Sequence, residues 1–250
     1  MAKPARLLIL GGTMEALALA RQTVEDPRLT VLSSLAGRTQ APKPPPGNSR
    51  VGGFGGIAGL TVFLQQQAID LVVDATHPFA ERVSQHAAVA CAAAEVPRLV
   101  LLRPPWSPQD GDRWISVADG AQAAASLEDL GQRVFLTVGR QDLGPYEGLR
   151  EHWFLVRMID PPDEPLALAK HEIVIGRGPF EEASERRLLE THEIEALVSK
   201  NSGGDATYAK IAAARALGLP VVMIERPPPP PGEPVSSVGE TVAWLEQHLA

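Results

Sequence analysis

Leu7-Leu8-Ile9-Leu10-Gly11-Gly12-Thr13-Met14-Glu15-Ala16 decides how the rest of the chain is read. Four apolar residues in a row suit a strand buried on both faces of a parallel sheet, and Ala16, Leu17, Ala20 and Val24 then recur at helical spacing. Between them Gly11 and Gly12 let the backbone turn tightly with no side chain against a ligand, and Thr13 is placed to cap the helix. The free N–H groups and positive dipole end of such a helix suit a phosphate. The order Gly-Gly-Thr departs from the G-x-G-x-x-G of dinucleotide-binding turns. The stretch therefore also reads as an ordinary strand-to-helix turn that uses glycine for its geometry.

Residues 29–34 read as a second strand, followed by Leu35-Ala36-Gly37-Arg38-Thr39. A dinucleotide fold places an acidic residue at this strand end, about 20 residues past the glycine turn, when the ribose 2'-hydroxyl is free. Here stand Ser33, Ser34 and Arg38. Two hydroxyls and a guanidinium would hold a 2'-phosphate that a carboxylate would repel, which favours NADP(H) over NAD(H). Arg38 also reads as a solvated loop charge. Residues 42–47 form a proline-rich loop, and Gly52, Gly53, Gly55, Gly56 and Gly59 suit either a connection over a ligand or a plain loop before a helix over 60–68.

Asp70-Leu71-Val72-Val73-Asp74-Ala75-Thr76-His77-Pro78-Phe79-Ala80 is the second informative stretch: a buried strand ends in polar residues, and a helix over 80–94 begins just past Pro78. Ligands gather at the C-terminal ends of parallel strands, which puts Asp74, Thr76 and His77 beside a cofactor. His77 reads equally as a cap or a packed core residue. Strands over 98–102 and 114–117 and a helix to about 130 complete one open α/β unit. Another starts at Arg133, so the expected domains are 1–130 and 131–250.

The strands of that second unit end in basic or glycine-containing turns: Gly139-Arg140-Gln141, Arg157-Met158-Ile159, Gly176-Arg177-Gly178-Pro179-Phe180, Ser199-Lys200-Asn201-Ser202-Gly203-Gly204 and Glu225-Arg226-Pro227. Parallel strands would gather these turns on one edge. The richest is 200–205. Gly203 and Gly204 expose N–H groups before a helix carrying Tyr208, while Lys200, Asn201 and Ser202 add side-chain donors, a concavity suited to carboxylate or phosphate oxygens. A prolyl run at 227–231 reads as a stiff link to a final helix over 238–249.

Composition narrows the class of partner. The net charge of -7 argues against general affinity for nucleic acid, which needs a basic surface. Cys91 is the one cysteine, so an internal disulfide and a cysteine-based zinc site are excluded, in keeping with a reducing cytoplasm; its alanine-rich setting reads as packing. No apolar run approaches the roughly 20 residues that cross a bilayer, and the first strand begins too early for a signal peptide.

Gly11-Gly12-Thr13-x-Glu15-Ala16, Asp74-Ala75-Thr76-His77-Pro78-Phe79-Ala80, Gly176-x-Gly178-Pro179-Phe180 and Ser199-Lys200-Asn201-Ser202-Gly203-Gly204 with Leu217-Gly218-Leu219-Pro220-Val221 resemble the precorrin-6A reductase family of cobalamin biosynthesis. The likeness runs from the first strand to Pro227. Met14 stands where many members carry Thr, which removes one hydroxyl contact to the pyrophosphate. The resemblance implies two Rossmann-like domains, NADPH on the first and the corrin precursor in a cleft between them, and reduction of the C18=C19 bond of precorrin-6A to precorrin-6B. On this basis Gly11, Gly12, Thr13, Met14, Glu15, Ser33, Ser34, Arg38, Asp74, Ala75, Thr76 and His77 are the expected cofactor residues. A macrocycle bearing many carboxylates would meet Arg140, Arg177, Lys200, Asn201, Ser202, Gly203, Gly204, Tyr208 and Arg226, whose local field favours a polyanion on an acidic protein.

Hydride reduction of a conjugated carbon asks mainly for positioning and exclusion of water, with His77, Tyr208, Lys200 or bulk water as proton donor. A monomer with no metal is expected. Two other readings stay open on the residues alone: a two-domain transferase using a nucleotide-activated donor, and a non-catalytic carrier of an anionic tetrapyrrole.

Overall fold

The computed structural model describes residues 3–37, 44–229 and 231–249. The chain runs β1 (Ala5–Leu10), α1 (Met14–Thr23), β2 (Leu29–Leu35), β3 (Asn48–Val51), α2 (Gly56–Gln66), β4 (Leu71–Asp74), α3 (Glu81–Ala93), β5 (Arg98–Leu101), β6 (Arg113–Val117), α4 (Gly120–Ala125) and β7 (Arg133–Leu136). It continues through β8 (Trp153–Met158), β9 (His171–Ile175), α5 (Glu182–Thr191), β10 (Ala196–Lys200), α6 (Ala209–Ala216), β11 (Pro220–Ile224), β12 (Pro234–Val235) and α7 (Val238–His248). The strands form two parallel sheets of six, ordered β12-β5-β4-β1-β2-β3 and β6-β11-β10-β7-β8-β9.

The alternation of a strand's side chains explains why the apolar run 7–10 is continuous. Leu7 and Ile9 enter a core with Leu19 and Ala20 of α1, Leu71, Val73 and Leu245 of α7, while Leu8 and Leu10 enter another with Leu60, Leu64, Ala87 and Cys91. Each of these two faces is covered by helices, so β1 is apolar on both. Burying each such leucine is worth about 1.5–3 kcal/mol. The second sheet repeats the principle: Phe135, Leu155, Leu197 and Met223 pack on Leu189 of α5 and Ile211, Ala213 and Ala214 of α6.

Two compact units result, one of residues 1–104 with 227–250, the other of 105–226. This corrects the boundary expected near 130. The segment 113–117 does not extend the first sheet; β6 pairs with β11, Arg113 opposite Pro220 through Val117 opposite Ile224. The C-terminal residues leave the second unit, because Pro234 and Val235 pair with Val100 and Leu101 of β5 and α7 packs in the core of the first. The helix expected to reach 130 ends at Ala125, and the helix expected over 60–68 starts at Gly56.

Candidate functional site

At the centre of each sheet the strand order reverses, between β1 and β4 in the first and between β7 and β10 in the second. Neighbouring connections leave in opposite directions there and open a crevice at the strands' C-terminal ends, where open α/β sheets bind ligands.

At the first of these points Thr13 does three things. Its backbone is extended (φ -115°), its Oγ1 accepts the Ala16 amide at 3.1 Å, and the same hydroxyl donates to the Ala75 carbonyl at 2.8 Å. The turn after β1 is thereby fixed to the end of β4. Gly12 has φ +116°, and a Cβ built on it meets nothing within 4 Å, so open space lies beside the turn. The amides of Gly12, Thr13, Met14 and Glu15 carry no hydrogen bond to another described residue. Four orphan donors at a helix N-terminus fit a dinucleotide's pyrophosphate. Met14 is half-exposed at the first helical position, and Glu15 is ion-paired to Arg103 at 2.7 Å.

The loop after β4 is held from beneath. Asp74 is 1% exposed; one oxygen accepts the Thr76 hydroxyl at 2.8 Å and amide at 3.3 Å, and the other faces Arg98 at 3.3 Å. Arg98 also donates to the Pro231 carbonyl, and the Thr76 hydroxyl meets Ser84 Oγ at 3.0 Å. Asp74 is therefore a scaffold for Ala75, Thr76 and His77. His77 Nδ1 accepts the Phe79 amide at 3.2 Å, which puts the proton of the neutral ring on Nε2. Asp74, Thr76, His77 and Ser84 line a cavity with Pro228, Pro229 and Pro231.

Ser34 lies in register with Leu10 on one side and Arg50 on the other, and Leu10 in turn with Asp74, so one row across the sheet reads Arg50, Ser34, Leu10, Asp74. Ser33 is buried with an unpartnered hydroxyl. Arg38 lies outside the described residues. Arg50 was not among the expected site residues. The signal available was its place in a strand beside Ser34, but Asn48-Ser49-Arg50-Val51 has no apolar alternation to mark it as a strand.

In the second unit Lys200, the last residue of β10, pairs with Asp142 at 2.7 Å, in the turn after β7 that also carries Arg140. Arg140 faces Asp163 at 3.3 Å. Gly203 and Gly204 have φ +66° and +74°, a left-handed geometry that favours glycine, and their amides carry no hydrogen bond to a described residue. A turn of 3-10 helix (Asp205–Thr207) separates them from α6. Arg226 folds back on the carbonyls of Asn201 and Ser202, each at 2.8 Å. Asn201 is 4% exposed and its amide faces inward, accepting the Trp106 amide at 2.8 Å and donating to the Trp106 carbonyl at 3.2 Å. It shapes the turn instead of presenting a donor. Tyr208 packs against Trp106 with the two rings tilted at 55°, and its hydroxyl receives an N–H of Arg215. Arg177 is exposed beyond β9, two strands from β7.

The family described as precorrin-6x reductase CbiJ/CobK matches residues 6–246. The chain belongs to this family. A precorrin-6A reductase of Rhodococcus erythropolis is 49% identical over 242 residues, spanning 96% of this chain and 97% of the relative. One of Sinorhizobium sp. is 47% identical over 250 residues, spanning 100% and 95%. The solved structure of a CobK precorrin-6A reductase superposes with a TM-score of 0.92 at 42% identity, over 98% of this chain and 97% of that one. As a member of the CbiJ/CobK family the chain is an oxidoreductase, and three of the motifs that suggested the family, those beginning at Gly11, Asp74 and Ser199, lie at the two strand-order reversals, while the motif at 176–180 follows the edge strand β9. No helix among the described residues is long and apolar enough to cross a membrane.

Proposed function

We propose that the protein reduces the C18=C19 bond of precorrin-6A with NADPH, giving precorrin-6B in cobalamin biosynthesis, as a monomer in the cytoplasm. The observation that carries this reading is the pair of open donor turns, one at each reversal of strand order, in a chain of this reductase family. Bound NADPH would supply the hydride. The amides of residues 12–15 would hold its pyrophosphate, Ala75, Thr76 and His77 would border it, and Ser33, Ser34 and Arg38 would meet its adenosine ribose.

The second unit's part is to bind and orient the polycarboxylate ring. Lys200, Arg140, Arg177, Arg226, Ser202 and the amides of Gly203 and Gly204 offer charged and neutral donors spaced over several strand ends, which suits carboxylates arranged around a macrocycle. Tyr208 closes one side of that turn. Three groups hold a proton that reduction of a C=C bond would need: His77 at Nε2, Tyr208 at its hydroxyl and Lys200 at Nζ. Rate enhancement comes chiefly from holding the ring carbon against the hydride donor with water kept out.

Parallel fluorescence titrations with NADPH and NADH test the reading. Tight, selective binding of NADPH supports it. Binding of neither dinucleotide overturns it and leaves the transferase and tetrapyrrole-carrier readings standing.

A further inference from the structure

The end of β3 carries a partly buried guanidinium with no counter-ion among the described residues. Arg50 Nη1 donates to Ser34 Oγ at 2.8 Å and to the Gly52 carbonyl at 2.9 Å, and Nη2 donates to the Gly53 carbonyl at 2.9 Å. Its carbon lies 4.0 Å over the Phe54 ring and 5.3 Å from that of Phe63, two rings packed edge to face. All these partners are neutral. Burial pulls the Arg50 pKa down from the usual guanidinium value, with no carboxylate to pull it back. Four arginines elsewhere in the fold are paired instead: Arg98 has Asp74, Arg103 has Glu15, Arg157 has Glu185 and Arg215 has Asp112.

A desolvated cation without an anion is costly, and that cost falls when an anionic ligand arrives. Three of the five N–H groups of Arg50 are used. Nε–H and one hydrogen of Nη2 remain, a pair of donors matched to two oxygens of a phosphate. The place is apt as well. Ser34 and Arg50 stand in one register row with Leu10, the residue before the glycine turn, and the ribose of a dinucleotide bound at that turn reaches the end of the adjacent strand.

We propose that Arg50 recognises the 2'-phosphate of NADPH, with Ser34 Oγ beside it and Phe54 backing the guanidinium plane, so that Arg50 determines cofactor specificity. This inference rests on the NADPH reading above. A purely structural Arg50, latching Gly52 and Gly53 to β2, would affect both dinucleotides alike.

The test is to measure the affinities of wild type, Arg50→Met and Arg50→Lys for NADPH and for NADH, with urea unfolding of each as the check on folding. Arg50→Met should weaken NADPH binding at least about tenfold and leave NADH within about twofold, as expected for loss of a charge-assisted phosphate contact. Arg50→Lys, which keeps the charge without the fork, should recover part of the loss and keep the protein folded. Equal weakening for both dinucleotides in Arg50→Lys, or a wild-type preference for NADPH that survives in Arg50→Met, overturns the inference and leaves the NADPH reading standing. A wild type that binds neither, or both equally, overturns the two together.

Discussion

Thr13 and Ala75 join the two strand ends between which the first sheet reverses its order. One hydroxyl donates to the Ala75 carbonyl and accepts the amide that starts α1. Thr13→Ala deletes the cap and the tie together and should cost about 1–2 kcal/mol in urea unfolding, with a raised KM for NADPH. Thr13→Ser keeps the oxygen and should stay close to wild type in both measurements.

The pair of Asp74 and Arg98 lies beneath the loop that carries His77, with side chains 1% and 9% exposed. Asp74→Asn strands a buried guanidinium and should destabilise the fold by about 3–5 kcal/mol. Adding Arg98→Met removes the stranded charge, so the double variant should be more stable than Asp74→Asn alone. Chemical denaturation of wild type, Asp74→Asn, Arg98→Met and the double variant forms the cycle that checks this.

Lys200 is held by Asp142 at the corresponding point of the second sheet. Lys200→Met should raise the KM for the macrocycle about tenfold or more, as loss of a charge-assisted contact requires, and leave NADPH affinity unchanged. Steady-state kinetics with each substrate varied in turn separates the two. A fall in kcat beyond the effect on KM would identify Lys200 as the proton donor.

Burial in the core between α2 and α3 pushes the Cys91 thiol up to about 11 from an ordinary 9.0. The raised folded pKa means that the neutral thiol is the stable form in the fold. Its contribution is complete below pH 9 and is lost as the pH rises from there through about 11. Unfolding free energy should therefore decline across that window by roughly 2–3 kcal/mol more in wild type than in Cys91→Ala. Native protein should also resist thiol alkylation at pH 8 until it is unfolded.

The central strands were legible because burial on both faces leaves continuous apolar runs, as in Leu7 to Leu10 and Leu71 to Val73. Edge strands were not. β3 is an exposed polar strand, and β12 is two residues beginning with a proline, so neither carries a period that a sequence can show. The unit boundary escaped for another reason: the pairing of Trp114 with Val221 joins residues far apart in the chain, and local pattern does not say which sheet a strand enters. In the site, the glycine turns and Lys200 were readable from their chemistry. The inward amide of Asn201 and the position of Arg50 beside Ser34 depend on pairings that only the folded chain reveals.

The most direct test of the central claim is to incubate the protein with precorrin-6A and NADPH deuterated at both nicotinamide C4 positions and to analyse the product by mass spectrometry and NMR. Stoichiometric oxidation of the dinucleotide with one deuterium delivered to the C18=C19 bond is the predicted result. Product carrying no deuterium, or a macrocycle recovered unreduced while NADPH is bound, would contradict the account.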